Sequence, residues 1–272
     1  MTGSGDRPST PSGAVDEPAG DDRAQDRAQD RAQDRAQDLR DRLDAVRERI
    51  TSAAMAAGRD EPRLIVVTKY FPASDLRILA GLGVTDVGEN RDQEASAKAA
   101  ELEGLLTWHF IGQLQTNKAR SVVRYAHSVH SVDRASLVTA LGKAVAADRQ
   151  ERAAGPGTPA ELECFLQFDL DRAAVAGGRG GALPADAVAL AETLAGTPGL
   201  RLAGVMAVAP LGAPPAPAFE QLRRISETVR TVDPAATSIS AGMSGDLEEA
   251  VAAGATHLRI GSDVLGPRPA VG

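Results

Sequence analysis

The chain has 272 residues, a formal net charge of −7, 43% hydrophobic residues and 3% aromatic residues. That supplies one large core or two small ones built from Ala, Leu, Val and Ile, while the acidic balance argues against a nucleic-acid surface. The single cysteine, Cys164, excludes an intramolecular disulfide and a cysteine-rich metal site, and no apolar run reaches transmembrane length.

Residues 1–22 are rich in Gly, Pro, Ser, Thr and Asp and read as disordered. The start of the chain carries no signal-peptide pattern, so a cytoplasmic location is expected. From Arg23 to Asp38 the tetrad Arg-Ala-Gln-Asp occurs four times. A period of four stacks like charges at i,i+4 and leaves no apolar face, so the repeat reads as solvated and only marginally helical. Residues 1–38 are therefore assigned to a disordered tail and residues 39–272 to the folded body. Leu39, Leu43, Val46 and Ile50 then form the apolar stripe of an amphipathic helix.

Beyond it, strands and helices alternate. Strands are expected at 64–69, 84–90, 107–112, 128–133, 163–170, 202–209, 237–242 and 257–261. Helices are expected at 73–82, 91–103, 115–125, 135–149, 184–194, 218–232 and 245–253. Loops are expected at 151–160, at the glycine-rich stretch 174–183 and at the proline-rich stretch 210–217. Eight alternating units in one body read as a single TIM-type (β/α)8 barrel with an extra N-terminal helix, and a doubly wound sheet is the alternative.

The first strand, Leu64-Ile65-Val66-Val67-Thr68-Lys69, ends on one of only four lysines: Lys69, Lys98, Lys118 and Lys143. The chain uses arginine where charge alone is needed, so a lysine at this position suggests that the amine itself is required. A lysine can lose its proton and attack a carbonyl; arginine effectively cannot. Lys69 thus reads as the anchor of pyridoxal phosphate held as a Schiff base, or else as a lysine snorkelling from a strand end.

In such barrels the active face lies at the C-terminal ends of the strands, and the loops after strands seven and eight recurrently hold phosphate. Those loops here carry Gly242-Met243-Ser244-Gly245-Asp246 and Arg259-Ile260-Gly261-Ser262. Glycines admit a close ligand, and a helix N-terminus offers N–H groups to an anion. An ordinary turn with a helix cap is the alternative. An amine on strand one and an anion cradle on strands seven and eight become neighbours when the barrel closes.

Five motifs support a resemblance that spans about residues 39–268. They are Val67-Thr68-Lys69, Gly88-Glu89-Asn90-Arg91-Asp92-Gln93-Glu94, the run from Trp108 to Lys118, Gly242-Met243-Ser244-Gly245-Asp246, and Gly254-Ala255-Thr256-His257-Leu258-Arg259-Ile260-Gly261. Through them the chain resembles the pyridoxal phosphate-binding YggS/PROSC proteins, also called PLP homeostasis proteins. The resemblance implies a barrel like the alanine racemase N-terminal domain. It implies a Schiff base on Lys69 and a phosphate held by Ser244, Gly261, Ser262 and nearby backbone, with Met243 in the same loop. It places Arg259 at the pyridine nitrogen and Asn90 beside the ring. Ser262, where threonine is common, keeps the hydroxyl.

The resemblance further implies pyridoxal phosphate homeostasis without established turnover, and apo PLP-dependent enzymes as recipients. A racemase-like PLP enzyme of low activity is the alternative. A permanently charged Arg259 disfavours protonating the ring nitrogen, which makes the ring a poor electron sink. Few residues follow the eighth unit, so no second domain is expected to bring a base opposite Lys69, and neither Tyr70 nor Tyr125 is obviously placed for that role. The open face suggests a monomer. His109, mid-strand, is either a proton relay or a satisfied core histidine. His127, His130 and His257 fall on separate elements, which argues against a metal site. Lys98 and Gln115–Lys118 are expected at the surface, and Cys164 in the core.

Overall fold

A computed structural model of the chain describes residues 19–152, 161–171 and 180–268. The chain divides into two compact units, Met1–Asp38 and Leu39–Gly272. Helix α1 (Ala19–Ala56) begins in the first unit and continues into the second. The tetrad repeat, read as solvated and marginally helical within the tail, is helical in α1. Each arginine of the repeat has an aspartate at i+3, and Arg35 pairs with Asp38 in this way at 2.9 Å. Such pairs offset the like-charge stacking at i,i+4 in a stretch of good helix formers. Residues 1–18 of the expected tail lie outside the described residues.

The second unit is a closed barrel of eight parallel strands in sequence order. These are β1 (Arg63–Val67), β2 (Asp86–Glu89), β3 (Thr107–Phe110), β4 (Ser128–Val132), β5 (Leu162–Gln167), β6 (Leu200–Met206), β7 (Ser238–Ser240) and β8 (His257–Ile260). The barrel closes through β8 on β1, from Arg63 opposite His257 to Val66 opposite Ile260. The connecting helices are α2 (Ala73–Gly81), α3 (Asp92–Glu101), α4 (Ala119–Val122), α5 (Ala135–Arg152), α6 (Ala187–Ala195), α7 (Pro215–Arg230), α8 (Leu247–Ala252) and α9 (Ser262–Leu265).

The main apolar core fills the layer between strands and helices. Leu39, Leu43, Val46 and Ile50 of α1 are buried in it, each contributing about 1.5–3 kcal/mol by leaving water. Side chains alternate across β5: Cys164 joins this outer layer, while Phe165 joins a small separate cluster with Ala203 and Met206. Backbone contact between β6 and β7 depends on Gly204, whose φ is +153° and where a Cβ would lie 1.8 Å from the Ser238 carbonyl oxygen.

The barrel interior is largely polar. His130 on β4 hydrogen-bonds Ser240 on β7 at 2.8 Å. These strands are not neighbours, so the contact crosses the interior. Phe165 stacks on His130, with ring centroids 4.1 Å apart.

The strands end earlier than their sequence patterns suggest. Thr68, Lys69, Asn90, Gly112, Gly242 and Gly261 all lie just past the ladders, at the C-terminal mouth. The helix expected at 115–125 is a 3-10 turn (Thr116–Lys118) followed by α4. The proline-rich loop ends early, because Pro215 starts α7 at a position where its missing N–H costs nothing. In the expected loop 151–160, residues 151–152 belong to α5 and the rest lies outside the described residues. Of the glycine-rich stretch, 174–179 lies outside them too, and Ala182 forms a parallel bridge with Phe168.

Candidate functional site

A cavity of about 470 Å³ opens at the C-terminal mouth of the barrel, where β1, β7 and β8 end. Its lining includes Lys69, Met243, Ser244, Arg259, Gly261 and Ser262. Lys69 makes no ion pair or hydrogen bond to another described residue. Across the cavity, the Ser262 hydroxyl donates to Ser244 Oγ at 3.1 Å, which places two hydroxyls side by side. The turn before Ser244 needs glycine: Gly242 has φ +92°, and a Cβ there would lie 2.6 Å from Leu258 and 2.7 Å from Ala250. Met243 N–H donates to Asp246 Oδ1 at 2.6 Å. Arg49 of α1 ties the two serine loops together. It donates to the Ser244 carbonyl at 3.1 Å, to Glu248 at 2.9 Å and to Asp263 at 2.6 Å.

Arg259 is 4% exposed. It donates to Ser240 Oγ at 2.6 Å and to the Ala207 carbonyl at 2.9 Å. Burial pulls its guanidinium down to about 10, with Asp246 opposing, so the group stays charged at neutral pH. Asn90 lines a neighbouring cavity of about 490 Å³ with Arg91, Asp92, Gln113 and Lys118, and not the cavity that holds Lys69. Its Oδ1 is buried without a hydrogen-bond partner. The structure therefore gathers six of the seven sequence-predicted site residues into one cavity and sets Asn90 beside it. Tyr70, given no role from sequence, lines the same cavity as Lys69, whereas Tyr125 lines another.

The family profile of the alanine racemase N-terminal domain matches residues 41–269. A pyridoxal phosphate homeostasis protein of Mycobacterium tuberculosis is 43% identical over 239 residues, covering 83% of this chain and 91% of that protein. The chain belongs to the pyridoxal phosphate homeostasis protein family. A relative of the same name from Escherichia coli is 33% identical over 241 residues, covering 83% of this chain and 95% of that protein. Among solved structures, PipY of Synechococcus elongatus, described with PLP bound, aligns with a TM-score of 0.70 at 32% identity. It covers 84% of this chain and 100% of PipY.

In this family member the turn that presents Lys69 is held from behind. Tyr70 has φ +73°, the only positive φ at a described non-glycine residue, a conformation that costs about 1–3 kcal/mol. The Tyr70 N–H donates to Glu94 Oε1 at 2.7 Å, and Arg268 lies over its ring at 3.8 Å. Lys98 completes the clamp. Expected at the surface, it is 8% exposed. Its ammonium donates to Glu89 at 2.8 Å, Glu94 at 2.7 Å and the Thr68 carbonyl at 3.0 Å. The Thr68 hydroxyl also donates to Glu89 at 2.8 Å. Burial pushes the Glu89 carboxyl above its usual range, with Lys98 opposing. Lys98→Met leaves that carboxyl buried without its cation and is expected to destabilise the fold by about 3 kcal/mol. Urea unfolding checks this, and a loss below about 1 kcal/mol would remove the clamp's role.

His109 is a satisfied interior histidine, 2% exposed. Its Nε2 lies 2.8 Å from Asp86 and its Nδ1 2.6 Å from Ser128. The other three histidines do not stay apart as their elements suggested. His127 and His130 lie 6.1 and 5.3 Å from His109 between ring centroids, and His257 lies 6.2 Å from His130. Among the described residues, no group of three His, Cys, Asp or Glu is placed to hold a metal ion. No described helix is long and apolar enough to cross a membrane. Histidines scattered along the sequence carry no joint signal until the barrel closes around them.

Proposed function

We propose that the protein binds pyridoxal 5'-phosphate, anchored on the Lys69 amine, and serves its intracellular homeostasis without robust turnover. One observation carries this reading: a lysine amine with no partner among the described residues and a paired serine cradle line one cavity, together with a buried arginine. The donor set suits an aldehyde at one end, a phosphate at the other and an acceptor nitrogen along the edge. The unpartnered Asn90 Oδ1 next to the site suits a further ligand contact. The names of the relatives and the PLP described in PipY support the same cofactor.

When bound, pyridoxal phosphate supplies an aldehyde for the amine and a ring able to withdraw electrons. Ser244, Ser262 and the backbone around Gly261 would hold its phosphate, Lys69 its aldehyde carbon, and Arg259 its ring nitrogen. A charged Arg259 donates a hydrogen bond and so favours the unprotonated ring, which weakens electron withdrawal. This favours a carrier that delivers the cofactor to apo PLP-dependent enzymes.

The test is the visible absorption spectrum of the purified protein before and after borohydride, with the modified peptide mapped. The reading expects a band that reduces irreversibly onto the peptide containing Lys69. A colourless protein that takes up no added pyridoxal phosphate would overturn it.

A further inference from the structure

A continuous hydrogen-bonded column crosses the barrel interior from Arg259 to Asp86, and its direction can be worked out from its ends. A guanidinium can only donate and a carboxylate can only accept. Arg259 donates to Ser240 Oγ at 2.6 Å; a hydroxyl can accept twice, but the arrangement that also gives His109 a proton for Asp86 and satisfies every atom of the column sends the Ser240 hydrogen to His130 Nδ1 at 2.8 Å. His130 therefore carries its proton on Nε2, which donates to Ser128 Oγ at 2.9 Å and also lies 3.2 Å from His109 Nδ1. The Ser128 hydrogen goes on to His109 Nδ1 at 2.6 Å. His109 then carries its proton on Nε2, which donates to Asp86 Oδ1 at 2.8 Å. In this arrangement every donor points the same way, and it requires both histidines to be neutral with the proton on Nε2.

Burial lowers the proton affinity of both rings, for His109 against the pull of Asp86, consistent with neutral rings. Burial acts to raise the Asp86 carboxyl too, but His109, Thr85 and Arg63 outweigh it and keep it ionised.

We propose that Ser240, His130, Ser128, His109 and Asp86 are positioning residues for Arg259. They fix the face that this cation turns to the ligand cavity from the opposite end of the barrel. Arg259 has five N–H donors; two are committed to Ser240 and Ala207, and the residue also lines the cavity that holds Lys69 and Ser244. Cutting the column frees the guanidinium to rotate while leaving the cavity's own residues untouched. The inference about the ligand rests on the reading above; the inference about proton positions does not.

The first measurement is therefore made on the ligand-free protein: imidazole 15N shifts at pH 7, assigned with single histidine variants. The expected result is the Nε2–H tautomer for both His109 and His130. An Nδ1–H tautomer or a charged ring at either would overturn the column. The second uses Ser240→Ala, with Ser240→Thr as the variant that keeps the hydroxyl. Ser240→Ala is expected to release His130 from a single tautomer and to weaken retention of added pyridoxal phosphate about tenfold, the worth of a hydrogen bond to a charged group. It should also shift the visible band, and Ser240→Thr should restore all three. If Ser240→Ala lowers stability but leaves the His130 tautomer and the band unchanged, the positioning role is wrong. If wild-type protein takes up no pyridoxal phosphate, the cofactor reading fails, and the tautomer result still decides the column.

Discussion

Replacing Lys69 with alanine is expected to abolish borohydride-fixed pyridoxal phosphate altogether, not merely to reduce it. Lys69→Arg should do the same, because a guanidinium remains protonated and is not a nucleophile toward a carbonyl. Both variants keep the paired serines and Arg259, so weaker, reversible binding should persist and be visible by equilibrium dialysis. Lys69 has no described partner and sits at the mouth of the cavity, so the fold should lose less than about 0.5 kcal/mol. Intact mass after reduction reads the result directly. A retained cofactor mass in either variant would mean that another amine is the anchor. The other lysines offer poor substitutes: Lys98 is locked in its ion pairs, and Lys118 lines the neighbouring cavity with Asn90.

Stability should fall steeply on mild acidification, well above the range in which most carboxylates titrate. Burial lowers His109 and His130, and it lowers His257 to about 4, aided by His109 and Arg63. In the unfolded chain each would titrate near 6.5. Between those values the unfolded state binds more protons than the folded one, so stability rises with pH and is lost as pH falls. The window opens near pH 6.5 and, for His257, closes near 4. Each histidine adds a slope of at most about 1.4 kcal/mol per pH unit, so three approach about 4. Glu89 and Asp246, both raised by burial, work in the opposite direction. Urea unfolding at pH 7, 6 and 5 measures the slope. A free energy that stays flat from pH 7 to 5 would mean that the interior accepts protons while folded.

The architecture was readable because each β/α unit carries its own signal: a short apolar run, a glycine or proline break, and a helical stripe. Lys69 was readable for a different reason. In a chain that otherwise prefers arginine, a lysine ending a buried strand is anomalous. The four histidines were not readable as a group, because the register of β3 on β4 and the closure of the barrel, which brings His257 of β8 to His130, are tertiary and no local pattern encodes them. Lys98 was misjudged for a related reason. It lies on α3, a helix with no strong apolar face, and its burial follows from two acids, Glu89 and Glu94, whose convergence is tertiary. The tetrad repeat was judged on its i,i+4 repulsion, with its i,i+3 attraction overlooked.

The polar interior also bears on how the chain finds its barrel. Adjacent residues of a strand face opposite sides, so sliding one strand by a single residue exchanges its inward and outward sets. In β3, β4 or β8 such a slip would push a histidine or Arg259 into the oily helix layer and draw a leucine, valine or phenylalanine into the column. The displaced polar group would lose every partner, at a cost of about 1–3 kcal/mol for a neutral group and more for the cation. An all-aliphatic interior would forgive the same slip. The column thus works as a combination lock: the barrel closes fully only when each strand has stopped at its own number.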